Sequence, residues 1–295
     1  MAILTLTGDL ASGKSMVAKE LIHLLDAQYF STGNIQRGIA ASMGMTTLEL
    51  NKYSETHPEI DDQIDGQIKE LAGKEGNFVV DSRMAWHFLP ESFKIYLSVD
   101  VHRAAMRVMK DDQRSSEPAY NTIEDAVAKL LERKGSENKR YITLYDANCA
   151  DMSNFDVVVD STHSTPEQTL SSILALSKHF VALKQNNQII NHYWLSPKHL
   201  YPTQAPSQPC DNQLEMLTME PVEVVQVNQR FYLWQNADSI VAQALNQDLA
   251  HVPVRIIATD EQKTPDGKSA SEYVSANFNQ QQLNAWADRF SVEYL

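Results

Sequence analysis

Eight residues near the start of the chain, Gly8-Asp9-Leu10-Ala11-Ser12-Gly13-Lys14-Ser15, constrain it more than any other feature. They satisfy the spacing G-x-x-x-x-G-K-[ST]. A β-branched apolar run, Ile3 to Thr7, precedes them, and Met16 to Leu25 follows with Val17, Leu21, Leu24 and Leu25 at helical spacing. A strand that passes through such a loop into a helix makes a phosphate cradle. The glycines let backbone N–H groups turn inward, and the helix start adds partial positive charge. Lys14 is placed to neutralise the terminal phosphates, and the Ser15 hydroxyl to help hold Mg²⁺. The candidate nucleotide contacts are therefore Gly8, Asp9, Ala11, Ser12, Gly13, Lys14, Ser15 and Met16, with ATP and Mg²⁺ as the implied ligands.

Further apolar runs at Phe78–Val80, Ile95–Val99 and Val157–Val159 are separated by charged, helix-patterned stretches. Alternating strands and helices predict an α/β fold, the three-layer parallel sheet of a P-loop NTPase. Thr165, Pro166 and Gln168 supply a capping box for a last helix expected to end near Phe180. Beyond it the texture changes: the stretch 184–188 is polar, and Ser196 to Pro209 holds four prolines. A boundary near residue 185 gives two domains, 1–182 and 188–295. The second reads as a smaller α+β unit. Its strands are expected at Val222–Val227, Arg230–Trp234 and Val252–Ile257, with a tight turn at Asn228-Gln229 and a helix at Ile240–Leu245. The tail, with Leu283 and Trp286 in a short polar helix, is weakly patterned and receives no role.

Composition narrows the partners. Lys and Arg number 25 against 38 Asp and Glu, a formal net charge of −13, which opposes chain-wide affinity for nucleic acid or an anionic membrane. The cysteines, Cys149 and Cys210, lie far apart without metal-ligand spacing and read as free thiols. No apolar run reaches the roughly 18 residues of a membrane span, and no basic leader precedes the first strand, so the chain reads as cytoplasmic.

A P-loop leaves the phosphoryl acceptor open, since GTPases, ATPases and small-molecule kinases share it. Four blocks carry a resemblance that narrows it: the P-loop; Ser31-Thr32-Gly33-Asn34-Ile35-Gln36-Arg37; Val80-Asp81-Ser82-Arg83-Met84-Ala85-Trp86; and the stretch from Glu132-Arg133 through Glu137 and Arg140-Tyr141 to Asp156–Asp160. In this order and spacing, residues 1–180 resemble the cytidylate kinases, especially the short archaeal-type members of the nucleoside monophosphate kinase family. The resemblance implies phosphoryl transfer from ATP to CMP or dCMP. It places Thr32, Gly33, Arg37, Asp81 and Arg83 at the acceptor monophosphate, with Asp81 joining Ser15 at the metal. Lys14, Arg133 and Arg140 are the candidate catalytic cations. Spread transition-state charge does need cations from several directions, and Arg133 and Arg140, seven apart, share a helical face from which a lid would close. Arg103, Arg107, Ser161 and Thr162 are secondary candidates for the adenine side. Asp9 and Ala11 depart from the usual loop. The segment from Arg37 to Phe78, with its acidic patch His57 to Asp62, is too short for the long acceptor-binding insertion of bacterial relatives, and the stretch Lys110 to Asn121 offers only Lys110 and Arg114 as cations. A kinase of another small metabolite, or an ATP-binding switch, are the alternative readings.

Residues 193–258 resemble a diverged ParB/sulfiredoxin-type fold through Leu195-Ser196-Pro197, Tyr201-Pro202-Thr203-Gln204, Arg230-Phe231-Tyr232-Leu233-Trp234 and Val252–Ile257. That family binds phosphate through a G-[EH]-[RH]-R motif. Here Asn236-Ala237-Asp238-Ser239 stands at the matching positions, which implies a non-catalytic module for self-assembly or a protein partner.

Overall fold

The computed structural model describes residues 3–54, 56–110, 120–185, 192–206, 208, 213–260 and 262–295. They form two compact units, Met1–Asp156 and Val157–Leu295.

The first unit alternates strand and helix in chain order: β1 (Ile3–Gly8), α1 (Lys14–Leu24), β2 (Gln28–Ser31), α2 (Thr32–Ser42), α3 (Thr47–Ser54), α4 (Glu59–Lys69), β3 (Phe78–Asp81), α5 (Ala85–Phe88), β4 (Phe93–Ser98), α6 (Val101–Met109) and α7 (Ile123–Tyr145). The strands lie in the order β2-β3-β1-β4 and every pair is parallel. β1 is buried from Leu4 onward, as a sheet covered on both faces requires. Strand β2 was not anticipated. Its four residues, Gln28-Tyr29-Phe30-Ser31, are too few to show a period, and pairing with β3 makes the strand. The parallel topology brings the ends of β1 and β3 together, where Ser82 N–H donates to Leu6 O and the Thr7 hydroxyl to Ser82 O. Gly8 has no room for a side chain: a Cβ there would lie 2.2 Å from Leu97 O of β4. The segment 111–119, with Arg114, lies outside the described residues.

The second unit comprises β5 (Val157–Asp160), α8 (Pro166–Gln185), β6 (Tyr193–Leu195), β7 (Leu200–Tyr201), β8 (Val222–Val227), β9 (Arg230–Leu233), α9 (Asp238–Asn246), β10 (Val252–Ala258), α10 (Ala270–Asn277) and α11 (Gln280–Phe290). The capping box of α8 forms through Thr165 and Gln168. The helix runs on to Gln185, past the expected stop at Phe180, because residues 181–185 contain neither Gly nor Pro. β5 pairs in parallel with β6, Val158 beside Tyr193, and the compact division falls at Asp156/Val157. β6 runs antiparallel to β10, β10 parallel to β8, and β8 antiparallel to β9. The hairpin turn holds Asn228 at φ 49 and Gln229 at φ 65, the left-handed pair that a two-residue turn of this hand needs. The tail proves to be core: Trp286 is fully buried with Leu195, Val241 and Val254, and Leu283 packs beside Tyr232 and Tyr273. Helix α11 supplies them in spite of its polar composition, because only one face turns inward. No helix among the described residues is long and apolar enough to cross a membrane.

Candidate active site

The loop between β1 and α1 is closed on itself by Lys14. Its Nζ donates to Gly8 O at 2.9 Å and Asp9 O at 2.6 Å, with Ser12 Oγ at 3.4 Å. Ala11 (φ 61) and Gly13 (φ 88) take left-handed backbone, which bends the chain tightly enough for this. Burial, and then the charge of Arg83, lower the Lys14 ammonium to about 7, far below an ordinary lysine. Met16 spends its N–H on Gly13 O and leaves its side chain exposed.

Ser15 meets Asp81. The hydroxyl donates to Asp81 Oδ2 at 3.2 Å, where Tyr29 also donates at 3.2 Å, and Thr32 Oγ1 donates to Asp81 O at 3.4 Å. One hydroxyl and one carboxylate at the end of the loop are the sparse donor set that suits Mg²⁺, which takes its other ligands from water and substrate phosphates. Ser31 caps α2 by accepting from Asn34 N–H, and Gly33 leaves space beside the guanidinium of Arg37, which donates to Asn34 Oδ1 at 2.6 Å.

Arg83 is largely buried, with Nη1 donating to Gly8 O and Nε to Glu137 Oε2 at 3.0 Å. Arg133 donates to the other oxygen of Glu137 at 2.9 Å. Glu137 is thus the hub that sets two arginines side by side near the loop. Burial opposes its charge, but Arg83 and then Arg133 hold its carboxyl at about 2. Sequence reading missed this role, although the i, i+4 spacing of Arg133 and Glu137 was a signal.

Arg140 does not share Arg133's surroundings. It donates to Asn51 O at 3.3 Å and lies 3.7 Å from the buried Asp61 of α4, so it faces the α3–α4 region. One helical face here meets different neighbours along its length. Nearby, Tyr145 donates to Asp65 Oδ2, and burial is the largest influence lifting Asp65 to about 6. Arg107 donates to Ala11 O at 3.0 Å, so α6 steadies the crest of the loop. Ser161 and Thr162 are buried in the second unit, where Thr162 donates to Asp160 Oδ1. Asp160 also pairs with His199 at 2.9 Å. Cys149 is a free thiol, and burial pushes it up to about 11; Cys210 lies outside the described residues.

A glycine-bounded loop with its lysine, an acid beside its serine and arginines arriving from just beyond β3 and from α7 define a phosphotransferase of the P-loop kinase class. The class becomes a family on comparison: residues 3–163 match the cytidylate kinase-like family, and the chain belongs to it. The cytidylate kinase of Sulfurisphaera tokodaii is 33% identical over 184 residues, 62% of this chain and 98% of its own length. That of Pyrococcus horikoshii is 32% identical over 178 residues, 60% of this chain and 88% of its own. Among solved structures, shikimate kinase from Bacteroides thetaiotaomicron aligns over 60% of this chain and 98% of its own with a TM-score of 0.44 at 13% identity.

Proposed function

We propose that this chain transfers the γ-phosphoryl group of ATP to a nucleoside monophosphate, CMP or dCMP before others. The observation that carries the reading is the joining of Lys14, Ser15 and Asp81 with the Arg83–Glu137–Arg133 cluster in one unit of a chain from this family. Lys14 would hold the transferred phosphates, and Arg83 and Arg37 the acceptor phosphate. Arg133 would neutralise the charge that builds between them. Arg140, beside Asp61, would serve the acceptor and not a lid. Ser15 and Asp81 would hold Mg²⁺, which when bound draws charge from the phosphate oxygens. Such a site works by positioning and neutralisation, without a covalent enzyme intermediate.

The second unit we read as a ParB-like module that serves assembly or a protein partner. Its order of strand, helix and strand from β9 through α9 to β10 supports this, and Asp238, 2% exposed at the start of α9, favours a module that does not bind phosphate there.

The test of the kinase reading is ADP release from ATP and Mg²⁺ with CMP, dCMP, UMP, AMP, GMP and dTMP as acceptors. A signal selective for CMP or dCMP is expected, reduced at least 10²-fold in Lys14→Ala. Turnover of none of them by a chain that binds ATP overturns it.

A further inference from the structure

An acid in a phosphate loop needs an explanation. Asp9 is the second residue of the loop; its own carbonyl accepts from Lys14 at 2.6 Å, and its carboxylate is near enough to act on the charge of that lysine. Its oxygens are satisfied by neutral donors: Oδ1 accepts from the Tyr96 hydroxyl at 2.8 Å and Oδ2 from Val99 N–H at 3.1 Å. These bonds tie the loop to the end of β4 but cancel no charge. Lys134 of α7 does cancel it, with Nζ donating to Oδ1 at 2.6 Å. The carboxylate side chain is 15% exposed and the lysine 48%, so the lysine reaches in from solvent to an acid that is mostly covered. Arg107 holds the loop at Ala11 O, and Arg83 donates to Gly8 O and Glu137.

We propose that Lys134 is a positioning residue for the nucleoside triphosphate: it neutralises Asp9 and so lets a loop that carries an acid accept a polyanion. The inference rests on the kinase reading, because it presumes that the loop binds ATP. Asp9 needs no lysine to satisfy its hydrogen bonds, so what Lys134 adds is charge, and its loss should be felt in proportion to the charge of the ligand.

The experiment is equilibrium binding of ATP, ADP and adenosine to the full chain and to Lys134→Gln, Lys134→Arg and the double variant Asp9→Asn with Lys134→Gln. Lys134→Gln is expected to raise the Kd of ATP about tenfold, that of ADP less, and that of adenosine less than about twofold. Lys134→Arg, and removal of the acid in the double variant, are each expected to recover most of the ATP affinity. Equal losses for ATP and adenosine, no loss at all, or a double variant no better than Lys134→Gln would each overturn the proposal. A wild-type chain that fails to bind ATP overturns the kinase reading itself. One that binds ATP while all its Lys134 variants match it overturns this inference alone.

Discussion

Lys14 shows how much one residue's chemistry depends on what surrounds it. The loop wraps three oxygens around its ammonium, yet burial and the neighbouring charge of Arg83 lower it to about 7. A bound polyphosphate favours the charged form, so binding must raise this value. The sign follows: below pH 7 the free lysine is already charged and binding moves no proton, whereas above it binding takes a proton up and affinity falls as pH rises. Calorimetry of ATP binding at pH 8, in buffers of different ionisation enthalpy, should therefore record uptake approaching about one proton per nucleotide. Uptake near zero would show that the lysine is already charged in the free loop. The motif made Lys14 and its ligand class legible at once. Its lowered basicity was not, because Arg83 is remote in sequence and only the sheet carries it to Gly8.

Helix α7 concentrates the charged residues of the site. Its helical pattern and the pairing of Arg133 with Glu137 are local matters that spacing reveals. That Glu137 also binds Arg83, that Lys134 reaches Asp9, and that Arg140 turns to Asp61 depend on where α7 lies over the sheet. Glu137 carries a consequence for stability. Its carboxyl sits at about 2 instead of 4.5, so its contribution is complete above pH 4.5 and fades as pH falls from there toward 2. Glu137→Gln should therefore cost about 3 kcal/mol at neutral pH by chemical denaturation, and progressively less in acid. A cost that stays constant down to pH 2 would refute the ion-pair account. Strand β2 illustrates the opposite limit at this scale: four residues hold no period, and their state is decided by β3.

At the scale of the whole molecule, the second unit is the part whose role local pattern left open. Asp238 is buried, and burial is the largest influence raising it to about 6, against backbone N–H groups that favour its charged form. On the ParB-like reading, an acid so placed would keep phosphate from the start of α9. In a Lys14→Ala chain, whose loop is disabled, inorganic phosphate should leave the melting temperature unchanged, and should raise it once Asp238→Arg is added. A response to phosphate without that substitution would overturn the reading that Asp238 keeps phosphate out. Trp286 carries the same lesson for packing: α11 looks polar in sequence, and only the fold shows that its one tryptophan closes a core with β6 and β10. The sequence by itself determined the parallel α/β order, the phosphate loop and the family, because strand and helix periods and a contiguous eight-residue motif are local properties of the chain. Tertiary structure alone decided that Arg83 also meets Glu137, that Lys134 meets Asp9 and what α11 buries. Those depend on contacts between residues far apart in the chain, whose partners no periodicity encodes.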